Sequence, residues 1–433
     1  MLPSRSRSPF WLALAGLLLF APAARSQDRT LDLPLGDPAR RERTAPVLLD
    51  GITATATGDL LTPAELAARL DPVSLLLVGE SHTDMEFHRV QLRVLEELAR
   101  RGRSLLIGLE MYPAGEQASL DRWIADPALD ADAFLTLSRW YRNWGYHWEY
   151  YHRIFRFAKA HGIRMYGLNV PRAVVQTARR EGLEALSAEQ RALLPPRIDT
   201  GSEEHRTFFR AAFDPEGMHG DLSPEAFEGM YRAQCTWDAA MAHNAIRALR
   251  EASGERPLMV VLVGSGHVAY GLGAERQAKL WYDGRIASLI PVPVYDPKEH
   301  RPITATRASY ADYLWGIPAA ADPLFPVLGI STAEREEPQP LAVIRVENDS
   351  VAARAGFAVG DRIVAMDGTP IDRKETFNRL MATKEWGDSA RFEVRRGEET
   401  VTLTPIFRRP FEAPPAPCPD LPAAAEPAPE AQP

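Results

Sequence analysis

Four short runs of nearly uninterrupted apolar residues constrain this chain more than any other feature: 73–78 (VSLLLV), 104–109 (SLLIGL), 164–168 (RMYGL) and 258–263 (LMVVLV). Each is bounded by turn or charge signals and is too short for a buried helix. A strand that is apolar at consecutive positions is covered on both faces, as happens inside a parallel sheet. After the first run the period changes, because Phe87, Val90, Leu92, Leu95 and Leu98 recur at helical spacing and share one helix face. Strand, helix, strand alternation predicts an α/β fold, a parallel sheet flanked by helices. Residues 185–240 carry little strand signal and read as a helical insertion placed to act as a lid.

From residue 325 the texture changes to short alternating strands with Gly-Asp turns, which predicts a second, small β-rich domain. The expected divisions are a leader at 1–26, an arm at 27–44, the α/β domain at 45–315, the β-rich domain at 325–408 and a tail at 411–433. The leader carries Arg5 and Arg7 ahead of an apolar run from Phe10 to Phe20 and small residues up to Ser26. That is the pattern of a secretory signal, with cleavage leaving Gln27 first. The arm is polar and charged and is expected to be loose. The tail, mostly Pro, Ala and Glu, has too few large apolar residues to offset the entropy of ordering.

The formal charge of −8 becomes −11 once Arg5, Arg7 and Arg25 are removed, so no basic footprint for nucleic acid exists. Two cysteines, Cys235 and Cys418, allow at most one internal disulfide, and the tail position of Cys418 offers no fixed geometry for it. Two free thiols are expected.

Polar residues fall where the apolar runs end, and ligands of open α/β sheets bind outside the carboxyl ends of the strands. Gly79-Glu80-Ser81-His82 follows the first run, Glu110-Met111-Tyr112 the second, Asn169 the third and Gly264-Ser265-Gly266-His267 the fourth. A histidine after a strand is commonly a packing residue, and a carboxylate at a helix start needs no further purpose. The same GxxH spacing after two strands, with an acid after a third, points to a joint role. His82, Glu110 and His267 suit a Mn, Fe or Zn ion with positions left for water. They equally suit acid, base and orienter roles without metal.

A haem site asks instead for a broad apolar slot and an axial Tyr or His. The aromatic segment 140–152 (WYRNWGYHWEYYH) can supply the slot, with Tyr146 as an axial candidate and Tyr270 as a second. Trp144, Trp148, Tyr151 and Phe155 also recur at helical spacing, which is the mark of a core stripe. Met218, His219, Gln234, Asp238 and Met241 are further residues able to face the site from the insertion, although a solvated or core helix explains them equally well.

The segments VGESHTD (78–84), GLEMY (108–112), GLNVPR (167–172), AQCTWDAAMAHN (233–244), VGSGHVAYGLG (263–273) and YADYLW (310–315) together resemble the ChaN-like haem-binding uptake family. That family sits in a superfamily with TIKI-type metalloproteases and erythromycin-esterase-like enzymes. The resemblance implies an α/β domain outside the cytoplasm that binds haem or iron complexes. With the strand-end residues and the axial candidates taken together, the expected cofactor set is His82, Glu110, Asn169, His267, Tyr270 and Tyr146. The enzymatic cousins share the paired GxxH and the glutamate, which match His82, His267 and Glu110 as catalytic or metal residues. Relatives are often lipoproteins, but neither cysteine lies near residue 26, so a lipid anchor is not expected.

In the second domain, 326–330 (PVLGI), 348–357 (NDSVAARAGF), 359–364 (VGDRIV) and Asp367-Gly368 resemble a PDZ domain. The resemblance implies that Leu328, Gly329 and Ile330 receive a C-terminal carboxylate, and that residues 374–382 form the helix lining the groove. No GxSxG turn accompanies it, and Ser265 lacks the second glycine such a turn requires. The resulting expectation is a periplasmic haem or iron-complex binding protein that docks the C-terminus of an envelope protein through its PDZ domain, with a homodimer as a further option. The alternative is a metal-dependent hydrolase or protease using the paired GxxH motifs.

Overall fold

The computed structural model of the protein describes residues 30–213, 223–296, 301–319, 323–333 and 339–409. The leader, its cleavage point, Met218, His219, Cys418 and the tail from 411 lie outside the described residues. Two compact units are present. The larger reaches to Leu324 and includes Lys374–Ala382, and the smaller comprises Phe325–Arg373 and the residues from Thr383. No helix among the described residues is long and apolar enough to cross a membrane.

The larger unit is built on an eight-stranded sheet. Its strands are β1 (Ile52–Ala54), β2 (Asp59–Leu61), β3 (Leu75–Glu80), β4 (Leu105–Pro113), β5 (Arg164–Asn169), β6 (Leu258–Gly264), β7 (Ile286–Pro293) and β8 (Tyr313–Ile317). The order across the sheet is β2-β1-β8-β7-β3-β6-β4-β5. All pairings from β8 to β5 are parallel, and β1 and β2 add an antiparallel edge. The expected apolar runs are therefore strands; β3, β4 and β6 are buried on both faces, while β5, at the sheet edge, exposes Arg164 and leaves Tyr166 half-buried.

Strand β7 carries Pro291 and Pro293, which lack the N–H a ladder needs. Its pairing with β3 ends at Leu289, so both prolines lie where only β8 pairs with it. Helix α1 (Met85–Arg100) follows β3 and is capped by Asp84, whose carboxylate accepts the Glu86 N–H at 2.9 Å. Phe87, Val90, Leu95 and Leu98 are buried along it as the periodicity predicts. Helices α2 (His152–His161) and α3 (Arg172–Glu181) flank β5, and α4 (Pro224–Glu251) crosses behind β5 and β6.

Two expectations are corrected here. The arm is not loose over its described part. Leu31 and Leu35 are buried in the main core, and backbone bonds join Leu31 to Arg307 (3.1 Å) and Arg43 to Ala308 (2.9 Å). The alternate spacing of Leu31, Leu33 and Leu35 is the signal that the charged neighbours obscure. The helical insertion read at 185–240 is in large part core and not a separate covering element. Most of α4 is buried, with Met230, Ala233, Ala239 and Met241 among its core residues. The insertion before it is tied down by Gln277, which accepts the Asp199 N–H at 3.0 Å and donates to the Asp199 carbonyl at 2.7 Å.

The smaller unit holds β9 (Ile330–Ala333), β10 (Leu341–Val346), helix α5 (Val351–Ala355), β11 (Arg362–Met366), β12 (Thr369–Pro370), β13 (Phe392–Arg396) and β14 (Glu399–Leu403). Its sheet runs β9-β10-β11-β13-β14, with β12 beside β11. Ile363, Met366, Phe392, Val394 and Phe407 are fully buried. The Arg396 guanidinium closes on buried Asp361 at 2.7 and 2.8 Å. The helix expected for residues 374–382 forms at Lys374–Met381, in the segment that belongs to the larger unit.

Candidate functional site

Strands β3, β6, β4 and β5 are consecutive neighbours, so their carboxyl ends form one continuous rim. His82 lies just past β3, His267 just past β6, Glu110 on β4, and Asn169 at the last position of β5. Glu110 departs from its expected place because β4 continues to Pro113, so the residue lies within the strand. The β4–β5 register shifts between Leu109 and Pro113, and such an irregularity re-aims side chains without ending the strand.

Each histidine is held by its own carboxylate. His82 Nδ1 donates to Glu80 Oε1 at 2.8 Å, and His267 Nδ1 donates to Asp238 Oδ1 at 2.6 Å, with the Gln234 amide 2.9 Å from the same nitrogen. Glu80 is the better anchored. Tyr151 donates to its Oε1 at 2.7 Å and Gln91 to its Oε2 at 2.8 Å, and His88 lies 3.6 Å from Oε2. Glu110 lies between the two couples. The Gly264 N–H donates to its Oε2 at 2.7 Å, and His267 Nε2 approaches its Oε1 at 3.4 Å.

Gly264 makes this convergence possible. A Cβ there would lie 3.1 Å from the His82 ring, which would have to give way, and in ordinary contact with Glu110 Oε2 at 3.6 Å. Asn169 serves the backbone: its Nδ2 donates to the Glu110 carbonyl at 3.2 Å and its Oδ1 accepts the Val170 N–H at 2.9 Å. It fixes the strand that carries Glu110.

The site is dry and strongly charged, since Glu80, His82, Glu110, Asp238 and His267 are all buried. Burial pushes the Glu80 carboxyl up, but His88 and His82 outweigh it and hold Glu80 down at about 2. Burial disfavours the charge on His267, yet Asp238 and Glu110 raise it to about 10. The same opposition, with Glu80 and Glu110 prevailing over burial, raises His82. Glu110 is lowered, because His267 and His82 overcome its desolvation. A doubly protonated imidazole has no lone pair for a metal. Among the described residues, no group of three or more His, Cys, Asp and Glu side chains is arranged to hold a metal ion. His82, Glu110 and His267 do converge, but His82 is engaged by Glu80, and His267 by Asp238 and Glu110.

The aromatic segment divides between core and rim. Trp140, Trp148, Tyr151 and Phe155 are buried together, with Trp148 and Phe155 ring centroids 4.7 Å apart. They do not lie on one helix. A short helix at Trp140–Asn143 ends before Trp144, whose backbone is extended, and α2 starts only at His152. Trp144 and Tyr146 are half-buried and enclose His82, with ring centroids 4.9 and 4.8 Å from the imidazole. Burial, followed by the charges of Glu110 and Glu80, pushes the Tyr146 phenol well above its ordinary range.

Tyr270 lies elsewhere. Its hydroxyl donates to the Thr30 carbonyl and accepts the Leu33 N–H at 3.0 Å, so this phenol fastens the arm instead of facing the rim. Met241 lies in the core. Sequence reasoning did not single out His88 or Gln91, and it named Glu80, Tyr151 and Trp144 only inside longer segments, without individual roles. The spacing of Glu80, two before His82 at the end of an apolar strand, is a usable signal for its role. Asp238 is separated from His267 by the whole of β6, and no local pattern joins them. Cys235 is buried and free, as expected.

In the smaller unit, Gly329 has φ +78°, and a Cβ there would meet the Ser350 Cβ at 2.3 Å. The Gly329 carbonyl accepts the Glu347 N–H at 2.9 Å, and the Leu328 carbonyl accepts the Ala352 N–H at 2.8 Å. The loop carrying Leu328, Gly329 and Ile330 is thereby pinned ahead of β9, which stands at the end of the described sheet.

Residues 66–277 match the family described as haem-binding uptake, Tiki superfamily, ChaN, and residues 326–405 match the PDZ domain. Among curated proteins, RETICULATA-RELATED 5, a chloroplastic protein of Arabidopsis thaliana, is 24% identical over 240 residues, 52% of this chain and 31% of that protein. The chain thus spans about a third of that relative's length. Among solved structures, one described as cofacial heme binding to ChaN of Campylobacter jejuni is 17% identical with a TM-score of 0.48, covering 62% of this chain and 98% of that one. The HtrA3 PDZ domain bound to a phage-derived ligand is 20% identical with a TM-score of 0.17, covering 19% of this chain and 83% of that one. The chain joins a domain of the ChaN-like haem-binding uptake family of the Tiki superfamily to a PDZ domain.

Proposed function

We propose that the larger unit binds haem, or a comparable planar iron complex, against Trp144 and Tyr146 at the rim of the sheet, and that the protein works in the periplasm. The observation that carries this reading is the pair of half-buried rings closing over His82 at the carboxyl edge of β3. The family match supports the ligand class. Tyr146 is the residue best suited to hold ferric iron. It stands at the rim against His82, and a tyrosine oxygen is an established axial ligand for haem, the iron having to displace a phenol proton that burial, Glu110 and Glu80 hold in place. Bound haem would supply its iron as cargo or as a redox centre. The protein's part is to offer a ring-lined wall and to keep the carboxylates behind it neutralised by His82 and His267.

The PDZ domain fits a partner that ends in a free carboxylate, added as a strand beside β9. The hydrolytic alternative has one observation in its favour, because carboxylate-held imidazoles flanking Glu110 are competent for acid–base chemistry. Adding haem to the purified chain while recording absorption, with elemental analysis of the same preparation, separates the two. A saturable Soret band without stoichiometric bound metal supports haem. Tightly bound metal with turnover of an ester or peptide, and no saturable band, supports the hydrolase.

A further inference from the structure

We propose that Arg172 is the rim cation that receives a propionate of the bound porphyrin, an inference that rests on the haem reading above. The interior of the site cannot take these groups. Glu80, Glu110 and Asp238 are buried there beside His82, His88, His205 and His267, and a further carboxylate would have to be desolvated among them. The propionates therefore have to point outward, toward cations at the mouth. Arg172 stands in the right place. It is the first residue of α3, immediately beyond β5, on the same sheet edge as the site. Its guanidinium lies 3.4 Å from the carbonyl of Asn143, the residue directly before Trp144. Trp144 packs on His82 with centroids 4.9 Å apart and on Tyr146 at 5.3 Å.

The neighbouring frame is fixed from the other side as well. Asn169, three positions before Arg172, is bonded to the Glu110 carbonyl at 3.2 Å, so the turn from β5 into α3 moves with the site. Arg172 is exposed, and its planar fork matches a carboxylate in bidentate fashion. The start of α3 adds the favourable end of a helix dipole of ten residues behind it.

The test compares haem with its dimethyl ester, which keeps the macrocycle and iron but has no propionate charge. Equilibrium titrations are run on the full chain as wild type, Arg172→Ala, Arg172→Lys and, as a control charge on α2, Arg156→Ala. Arg172→Ala should weaken haem roughly 10-fold, about the effect of one charge-assisted pair. It should leave the ester within about twofold of wild type, and Arg172→Lys should fall between. Added salt should weaken haem binding by wild type more than by Arg172→Ala. Equal losses for haem and ester, no loss for either, or the same loss from Arg156→Ala would overturn the assignment of Arg172. A wild-type chain that binds neither porphyrin overturns the haem reading itself, which is a distinct result.

Discussion

Replacing Asp238 with Asn tests how the buried charges hold the rim together. Asp238 is fully buried, and its Oδ1 lies 2.6 Å from His267 Nδ1. His267 is buried, yet Asp238 and Glu110 lift its pKa from 6.5 to about 10. At about 1.4 kcal/mol per unit, that displacement corresponds to about 5 kcal/mol of stabilisation as an upper figure. Removing one member of a buried pair typically costs about 3–5 kcal/mol, so the two figures agree in scale. Asp238→Asn should therefore destabilise the larger unit by about 3–5 kcal/mol at pH 7, a fall on the order of 10 °C in its thermal transition. The pH dependence has a definite sign. A histidine whose folded value is raised contributes fully below its unfolded value near 6.5 and loses that contribution as pH rises toward about 10. The gap between wild type and variant should thus be widest near and below neutrality and should close by pH 10. Urea unfolding by circular dichroism at a series of pH values measures it. A difference under about 1 kcal/mol at pH 7, or one unchanged up to pH 10, would show that the couple is not ionic.

Gly329→Ala should destabilise the smaller unit by about 2 kcal/mol or more, because φ +78° disfavours a side chain and the new Cβ meets Ser350; an unchanged transition of that unit would contradict this. Peptides with apolar C-termini should bind the chain, and amidating their carboxylate should weaken them about 10-fold, as read by fluorescence anisotropy; equal affinities would exclude carboxylate recognition at Leu328–Ile330. Protein recovered from a periplasmic extract should begin at Gln27 by N-terminal sequencing, whereas detergent-dependent recovery of a lipid-modified form would point to a different anchor.

The sheet was readable where strands were apolar without interruption. The runs at 73–78, 104–109, 164–168 and 258–263 became β3, β4, β5 and β6, the four strands that carry the rim. Strand β7 was hidden by Pro291 and Pro293, and β8 by its length of five residues. His82, Glu110, Asn169 and His267 were legible because they follow directly on the recognisable apolar runs, although Glu110 proves to lie within its strand. The residues that tune them were not, because their partnerships are tertiary. Tyr151 reads as one more core aromatic until its hydroxyl is seen on Glu80, and Asp238 reads as a polar position on a long helix until it meets His267. Tyr270 illustrates the reverse error. Three residues from His267 in sequence, it turns away through a positive φ of 60° and fastens the N-terminal arm.

The haem reading depends on the rings beside His82, and the most direct measurement is a haem titration of wild type against Tyr146→Phe, followed by absorption in the ferric state. Wild type should saturate with a Soret band and a visible spectrum of phenolate-ligated iron. Tyr146→Phe, which keeps the ring and removes the ligating oxygen, should lose that visible signature and weaken haem by at least about 10-fold. Identical spectra and affinities for the two proteins, or no saturable band in wild type, would contradict the placement of haem at this rim.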